Sequence, residues 1–397
     1  MKLQLRYNTI SIIYFILCMF ALVLFLCIDM QGQEHCSDGI KGARTMLCLL
    51  AMVISASVLI LYFIPNYNAY RPTATMTLYL LYITWVFIPI INNEIKGDSM
   101  ESVMVLVKHL IPFFSLLLPF NYLQNHGDSK LFSWFFCFAS CAFAISYIRV
   151  YVEYISMYFE LPPMIISYYT LYILPLIMLV CGNKRKIFFV IFTCIILISS
   201  IKRGGIVAMG CGLISYGFVS ALISKKFNMK HIITSLVVIG LLTTIFIFMA
   251  DTDDNNLMER FAGMEDDGGS DRTIVWSVVA NMINNSDFFS LVFGHGYNAV
   301  AQDASVGVSA HNDFLEITYD YGLIGGVLYL FAFLSLIGNV FLHIKNKTSY
   351  APALAMFTTI YLCLSMMSHV AIYSWFNIIL LTIGYVSGKV RLDERNK

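Results

Sequence analysis

Apolar runs of about 20 residues, the length an α-helix needs to cross roughly 30 Å of hydrocarbon, recur along the whole of this sequence. About twelve can be read, near residues 8–28, 45–64, 76–92, 103–123, 131–150, 164–181, 187–201, 204–223, 231–250, 322–343, 351–370 and 372–390. Helix is the state they must take, because an open strand in lipid would leave backbone donors and acceptors unpaired at several kcal/mol each. Composition agrees: 59% of the 397 residues are hydrophobic and 12% charged, against about 25% charged in a soluble domain. The expected fold is an all-α integral membrane protein with one long outer loop that carries short helices. Residues 1–250 hold the first nine spans, 251–321 the loop, and 322–397 the last three spans and a tail.

The first run follows Lys2 and Arg6 and has no small-residue cleavage site behind it, so it reads as a retained helix. The ten cysteines lie almost entirely inside apolar runs, where cysteine behaves as a small hydrophobe, and imply no disulfide framework.

Charge orients the spans. With Met1 inside, the alternate short connections carry Arg71, Lys130, Lys184, Arg185, Lys186, Lys225, Lys226, Lys230, Lys345 and Lys347. The last run is followed by Lys389, Arg391, Arg395 and Lys397. This obeys the positive-inside rule and places both termini in the cytoplasm. Of the acids, only Asp128, Asp393 and Glu394 fall inside. Cations expected at the outer face run against the sorting and call for a reason: Lys202, Arg203, Arg260 and Arg272. Short cytoplasmic connections exclude a nucleotide-binding domain there, and neither G-x-G-x-x-G after a strand nor G-x-x-x-x-G-K-[ST] occurs.

The polar stretch from Asp251 to Tyr321 is long for a compact membrane protein, as expected of a lid or a binding element. Its acidic beginning, from Asp251 to Asp271, fails as a calcium loop. An EF-hand started at Asp251 would put Asn256 where glycine is required and Ala262 where the bidentate glutamate belongs. It reads as a solvated acidic segment, and no metal is expected. The run Asp271-Arg272-Thr273-Ile274-Val275-Trp276 is followed by a predicted amphipathic helix to about Asn284 and then by the turn Gly294-His295-Gly296-Tyr297, whose glycines allow backbone to approach a ligand. The loop ends with His311-Asn312, nine residues, Gly322, two residues and Gly325, at the start of the tenth span.

The spacing H-N-x9-G-x-x-G before a late helix, the Arg272-x-x-x-Trp276 upstream, the Gly-His-Gly turn, and Lys202-Arg203-Gly204-Gly205 at a helix junction stand in an order that resembles the bacterial O-antigen polymerase and O-antigen ligase superfamily. The resemblance in motif covers residues 199–330. It implies a glycosyltransferase of the cytoplasmic membrane that moves a glycan from undecaprenyl diphosphate to an acceptor sugar at the outer face. It also implies diphosphate-holding roles for Arg203 and Arg272 and a base at His311. The implied partners are the lipid-linked glycan, an acceptor glycan and the bilayer, with a chain-length regulator and a flippase as protein partners. No cofactor and no nucleic acid is expected.

Elementary chemistry is compatible with these roles. A sugar diphosphate already has a good leaving group, so the protein needs to balance negative charge and remove a hydroxyl proton. Arginine's planar fork binds phosphate oxygens bidentately and stays charged. Histidine, with an ordinary pKa of about 6.5, takes a proton near neutral pH. Competing readings stand beside each: interfacial snorkelling for Arg203, a loop ion pair for Arg272, a solvated or capping role for His311. Asn312 fits a helix cap, and Asp313 and Glu316 suit the first turn of that helix, with Glu316 also able to orient a catalytic group. Lys202, Asn312, Glu316, Gly294, Gly296, Tyr297 and His369 are the candidate substrate-binding residues, His369 because topology brings it to the face of His311. His295 reads as a turn residue. Gly204, Ala208 and Gly212 form a small-x-x-x-small ladder for helix packing. Polymerisation of repeat units is preferred over transfer to lipid A-core, since no extra domain is evident. A transporter or flippase ranks lower, because no internal repeat is found, and a non-catalytic receptor or assembly scaffold lower still.

Overall fold

The computed structural model describes residues 2–33, 71–94, 99–127, 130–158, 165–200, 202–224, 272–304, 309–371 and 374–395. Every regular element among them is helical. In chain order they are α1 (Lys2–Gln33), α2 (Ala74–Glu94), α3 (Ser99–His126), α4 (Lys130–Tyr158), α5 (Tyr168–Val180), α6 (Asn183–Ser199) and α7 (Arg203–Ser224). There follow α8 (Arg272–Asn285), α9 (Phe288–Phe293), α10 (Ala299–Asp303), α11 (Asp313–Lys345), α12 (Ala351–Met367) and α13 (Phe376–Arg395).

Five of these contain a stretch long and apolar enough to cross a bilayer: 12–30, 74–91, 130–156, 204–224 and 313–345. The segments 165–180 and 351–367 are shorter and equally apolar. The chain is thus an all-helical integral membrane protein. The twelve full spans expected from the sequence are not reached among the described residues. The expected spans at 45–64 and 231–250, and the acidic run from Asp251 to Asp271 with Arg260, lie outside them.

Close packing holds the bundle together where small residues let backbones meet. A Cβ on Gly384 of α13 would run into the Leu116 carbonyl of α3, and one on Gly388 would crowd Leu123 and Phe120. Gly212 of α7 plays the same part against Ile360 of α12. The buried face of α5 carries Tyr168, Tyr169 and Tyr172, all in ring contact with Trp375, which precedes α13.

The element that positions the functional residues is α11, and it is not one straight rod. Gly322 has φ 73° and ψ 176°, which breaks the helix. In an unbroken helix Asp313 and Tyr329 would stand about 24 Å apart along the axis. Instead the Tyr329 hydroxyl donates to Asp313 Oδ2 at 2.9 Å. The leading segment, 313–321, therefore folds back against the long one.

A helix that stops leaves carbonyls without partners. Here three of them are taken: His295 N–H donates to the Tyr319 carbonyl (3.1 Å), Gly296 N–H to that of Asp320 (2.9 Å), and Trp85 Nε1–H of α2 to that of Tyr321 (2.8 Å). The Gly-His-Gly turn is what closes this helix end. Gly294, at φ 89°, lies so near the Asp320 and Gly322 backbone that no side chain fits there.

Candidate active site

His311 and Asn312 stand immediately before α11. Asn312 caps the helix, its side-chain oxygen accepting from Phe314 N–H (3.0 Å) and Leu315 N–H (3.3 Å). His311 has φ 51°, a left-handed conformation that is uncommon for a residue with a side chain and is held only where the surroundings demand it. The demand is visible on both sides. Trp276 Nε1–H of α8 donates to the Ala310 carbonyl at 2.9 Å, and the Asn312 cap follows. The tryptophan of the R-x-x-x-W pattern thus anchors the peptide that carries His311.

The His311 ring lies 4.4 Å, centroid to centroid, from that of His369, which follows α12. His369 Nδ1–H donates to Glu316 Oε2 at 2.8 Å, and both side chains are buried, at 2% and 0% exposure. Asp313 holds the same connection from the other side. Its carboxylate, fully buried, accepts from Val370 N–H at 2.8 Å and from Ala371 N–H at 3.3 Å, besides the Tyr329 hydroxyl. Trp375 Nε1–H closes the loop on the His369 carbonyl at 2.9 Å.

Two cations complete the surroundings of His311. Arg272, the first residue of α8, and Lys202, just before α7, both lie near enough to disfavour its protonation. Burial is the larger influence, followed by His369, Arg272 and Lys202, and together they pull the imidazole down to about 3 from its ordinary 6.5. His311 is therefore neutral at physiological pH, with a lone pair available. Tyr168 of α5 hydrogen-bonds Ser368, feels the charge of Arg272, and lies against Gly204 and Gly205. Arg203 is the first residue of α7, beside Lys202; its side chain lies outside the described side chains.

The structure thus brings His311, Asn312, Glu316, His369, Arg272 and Lys202 to one end of the bundle. Gly294, Gly296 and Tyr297 are not part of that cluster. The two glycines contact the break in α11, and the Tyr297 ring meets His109 of α3 edge-on at 5.1 Å. His295 is a turn residue, as expected: its Nε2 is 2.9 Å from Ser286 Oγ and its ring stacks on Tyr319 at 4.0 Å. Sequence reasoning missed Tyr168 and Ser368, which carried no motif, and took Asp313 for a helix-dipole partner only.

A strained histidine thus lies beside a second one that is backed by a carboxylate, with two cations nearby, at one end of a helical bundle that spans a membrane. Comparison with protein families makes this more definite: residues 188–330 match the family described as O-antigen ligase, consistent with a member of the O-antigen polymerase and ligase superfamily. The match spans α7, α8 and the leading part of α11, and so contains Lys202, Arg203, Arg272, His311 and Glu316. It points to a glycosyl-transferring enzyme of the O-antigen ligase type. No curated protein matches the chain.

Proposed function

We propose that this protein transfers a glycan from undecaprenyl diphosphate to an acceptor sugar at the outer face of a bacterial cytoplasmic membrane. The observation that carries the reading is a largely buried His311 in ring contact with His369 at 4.4 Å, with Arg272 and Lys202 near enough to disfavour its protonation. Acceptor deprotonation needs a lone pair, and the departing diphosphate needs positive charge. In this reading Arg272, Arg203 and Lys202 hold the diphosphate, and His311 receives the proton of the attacking hydroxyl. A bound diphosphate would offset the two cations and raise the affinity of His311 for that proton.

Polymerisation of lipid-linked repeat units into O-antigen, capsule or exopolysaccharide is the form put forward here. Ligation to lipid A-core is the second reading, favoured by the description of the matching family. The orientation with both termini in the cytoplasm and a chain-length regulator and flippase as partners belong to the same proposal.

The test is a gel of surface glycan from a deletion strain carrying the intact protein, His311→Ala or Arg272→Ala, with membrane protein level checked. A polymerase predicts a single repeat unit on its normal acceptor in the deletion and in both variants. A ligase predicts no attached glycan and long chains left on the lipid carrier. Unchanged glycan throughout would remove the enzyme reading.

A further inference from the structure

The base proposed above has an awkward neighbourhood. His311 is largely buried and has two cations close by, so a proton placed on it has little to balance it. Directly beside it is a pair that can. His369 meets His311 ring to ring at 4.4 Å and bonds Glu316 Oε2 at 2.8 Å, both partners being buried. The other oxygen of Glu316, Oε1, is also buried and has no hydrogen-bond partner among the described residues. A carboxylate kept in this condition is under-satisfied until positive charge reaches it.

A purely mechanical role for the pair is poorly motivated. The connection after α12 is already tied to α11 by Asp313, which accepts from Val370 and Ala371, and to α13 by Trp375. A second buried carboxylate adds little as a tether.

We propose that Glu316 and His369 form a positioning and proton-accepting dyad behind His311, so that the proton removed from the acceptor hydroxyl ends on His369 against Glu316. This rests on the reading of His311 as the base. The hydroxyl oxygen bonds to the anomeric carbon while the carbon–oxygen bond to the diphosphate breaks, and the diphosphate leaves with that electron pair. The hydroxyl proton goes to His311 and from there to His369, where an imidazolium faces a carboxylate. Glu316 fixes the tautomer in which Nδ1 of His369 carries a hydrogen, as a carboxylate does behind a catalytic imidazole. The groups facing His311 are then His369 from the α12–α13 connection, Arg272 from α8 and Lys202 from the α6–α7 junction. Glu316 and Asp313 approach from α11, and Tyr168 from α5.

The experiment uses the purified full-length protein in lipid nanodiscs, with lipid-linked glycan and acceptor extracted from the membranes of the deletion strain. Turnover is measured against pH for the intact protein, Glu316→Gln, His369→Gln, the double variant and His311→Ala, with thermal melting of each. Glu316→Gln keeps the size of the side chain and removes its charge. The expected result is a fall in kcat of about 100-fold with little change in KM. The acid limb of its pH profile should move to lower pH, because the histidine pair has lost the charge that favours its protonation. The double variant should fall no further than either single one, as members of one unit do. Unchanged kcat and acid limb in Glu316→Gln, additive losses in the double variant, or a loss that merely follows the melting temperature would each overturn the dyad. Activity surviving in His311→Ala would instead overturn the base assignment on which it rests, so the two failures are distinguishable.

Discussion

The two ends of the bundle handle charge in opposite ways. At the end that carries His311, three carboxylates, Asp313, Glu316 and Asp320, are withdrawn completely from solvent. Asp313 and Glu316 are met as described above, and Asp320 accepts from Asn298 N–H and Val300 N–H, each at 3.0 Å. At the opposite end the charges sit at the surface: Arg391 pairs with Glu394 at 2.6 Å and Lys389 with Asp393 at 3.8 Å, all partly or largely exposed. There Arg391 also donates to the carbonyls of Arg71 and Pro72. Surface pairs are worth little individually, whereas a buried charge is tolerated only with its partners in place. The first arrangement specifies a geometry, and the second mainly supplies the basic residues that sort a membrane protein's topology.

That contrast can be broken most forcefully at the helix break. Gly322→Ala introduces a Cβ into the Val292 carbonyl at a positive φ. It should destabilise the protein by about 3 kcal/mol or more, read as a large drop in melting temperature or loss of membrane-inserted protein. An unaltered melt would mean that the fold-back of 313–321 is not required. Next in size is Asp313→Ala, which strands two backbone N–H groups and takes one partner from the Tyr329 hydroxyl, which keeps its bond to Ser365. A loss of about 2–4 kcal/mol is expected, together with faster proteolysis near Val370; protection equal to the intact protein would count against the clamp.

A smaller effect should appear with pH. Because folding depresses the His311 pKa from 6.5 to about 3, the unfolded chain binds the proton more readily between these values. The stability contribution of a neutral His311 is therefore complete above pH 6.5 and lost progressively as pH falls toward 3. His311→Gln should flatten that part of the melting-temperature profile; an identical slope would show that His311 is not held neutral. The smallest change belongs to the other end. Arg391→Ala should shift stability by no more than about 0.5 kcal/mol and leave surface glycan unaltered, and a severe glycan defect would show that the two ends are coupled.

Much of this was readable beforehand, for identifiable reasons. The helix expected after Trp276 and ending at about Asn284 does end at Asn285, but it starts earlier, at Arg272. Asn312 caps as its residue type suggests. The spacing H-N-x9-G-x-x-G also acquires a physical meaning. Nine residues make about two and a half helical turns between the cap at Asn312 and the break at Gly322, and Gly325 leaves room for Tyr321 and Trp85. Glu316 was harder to judge, since an acid one turn into a helix looks like a dipole partner whether it is exposed or bonded to a histidine 53 positions away. The turn around Gly294 was read as open to a ligand, and the structure closes it on the carbonyls of α11, a contact that no local pattern announces.

Sequence alone determined that the chain must lie in a membrane as helices, since hydrocarbon admits no other pairing for so many apolar runs, and it named Lys202, Arg203 and Arg272 as cations against the charge sorting and His311 through the spacing of its motif. Only the tertiary structure decided that α11 folds back on itself and that His369, far along the chain, completes a pair with Glu316 beside His311. Hydrophobic periodicity reports what is buried in lipid, but it carries no information about which buried polar groups meet. That depends on where each helix ends and which carbonyls are left for another segment to take.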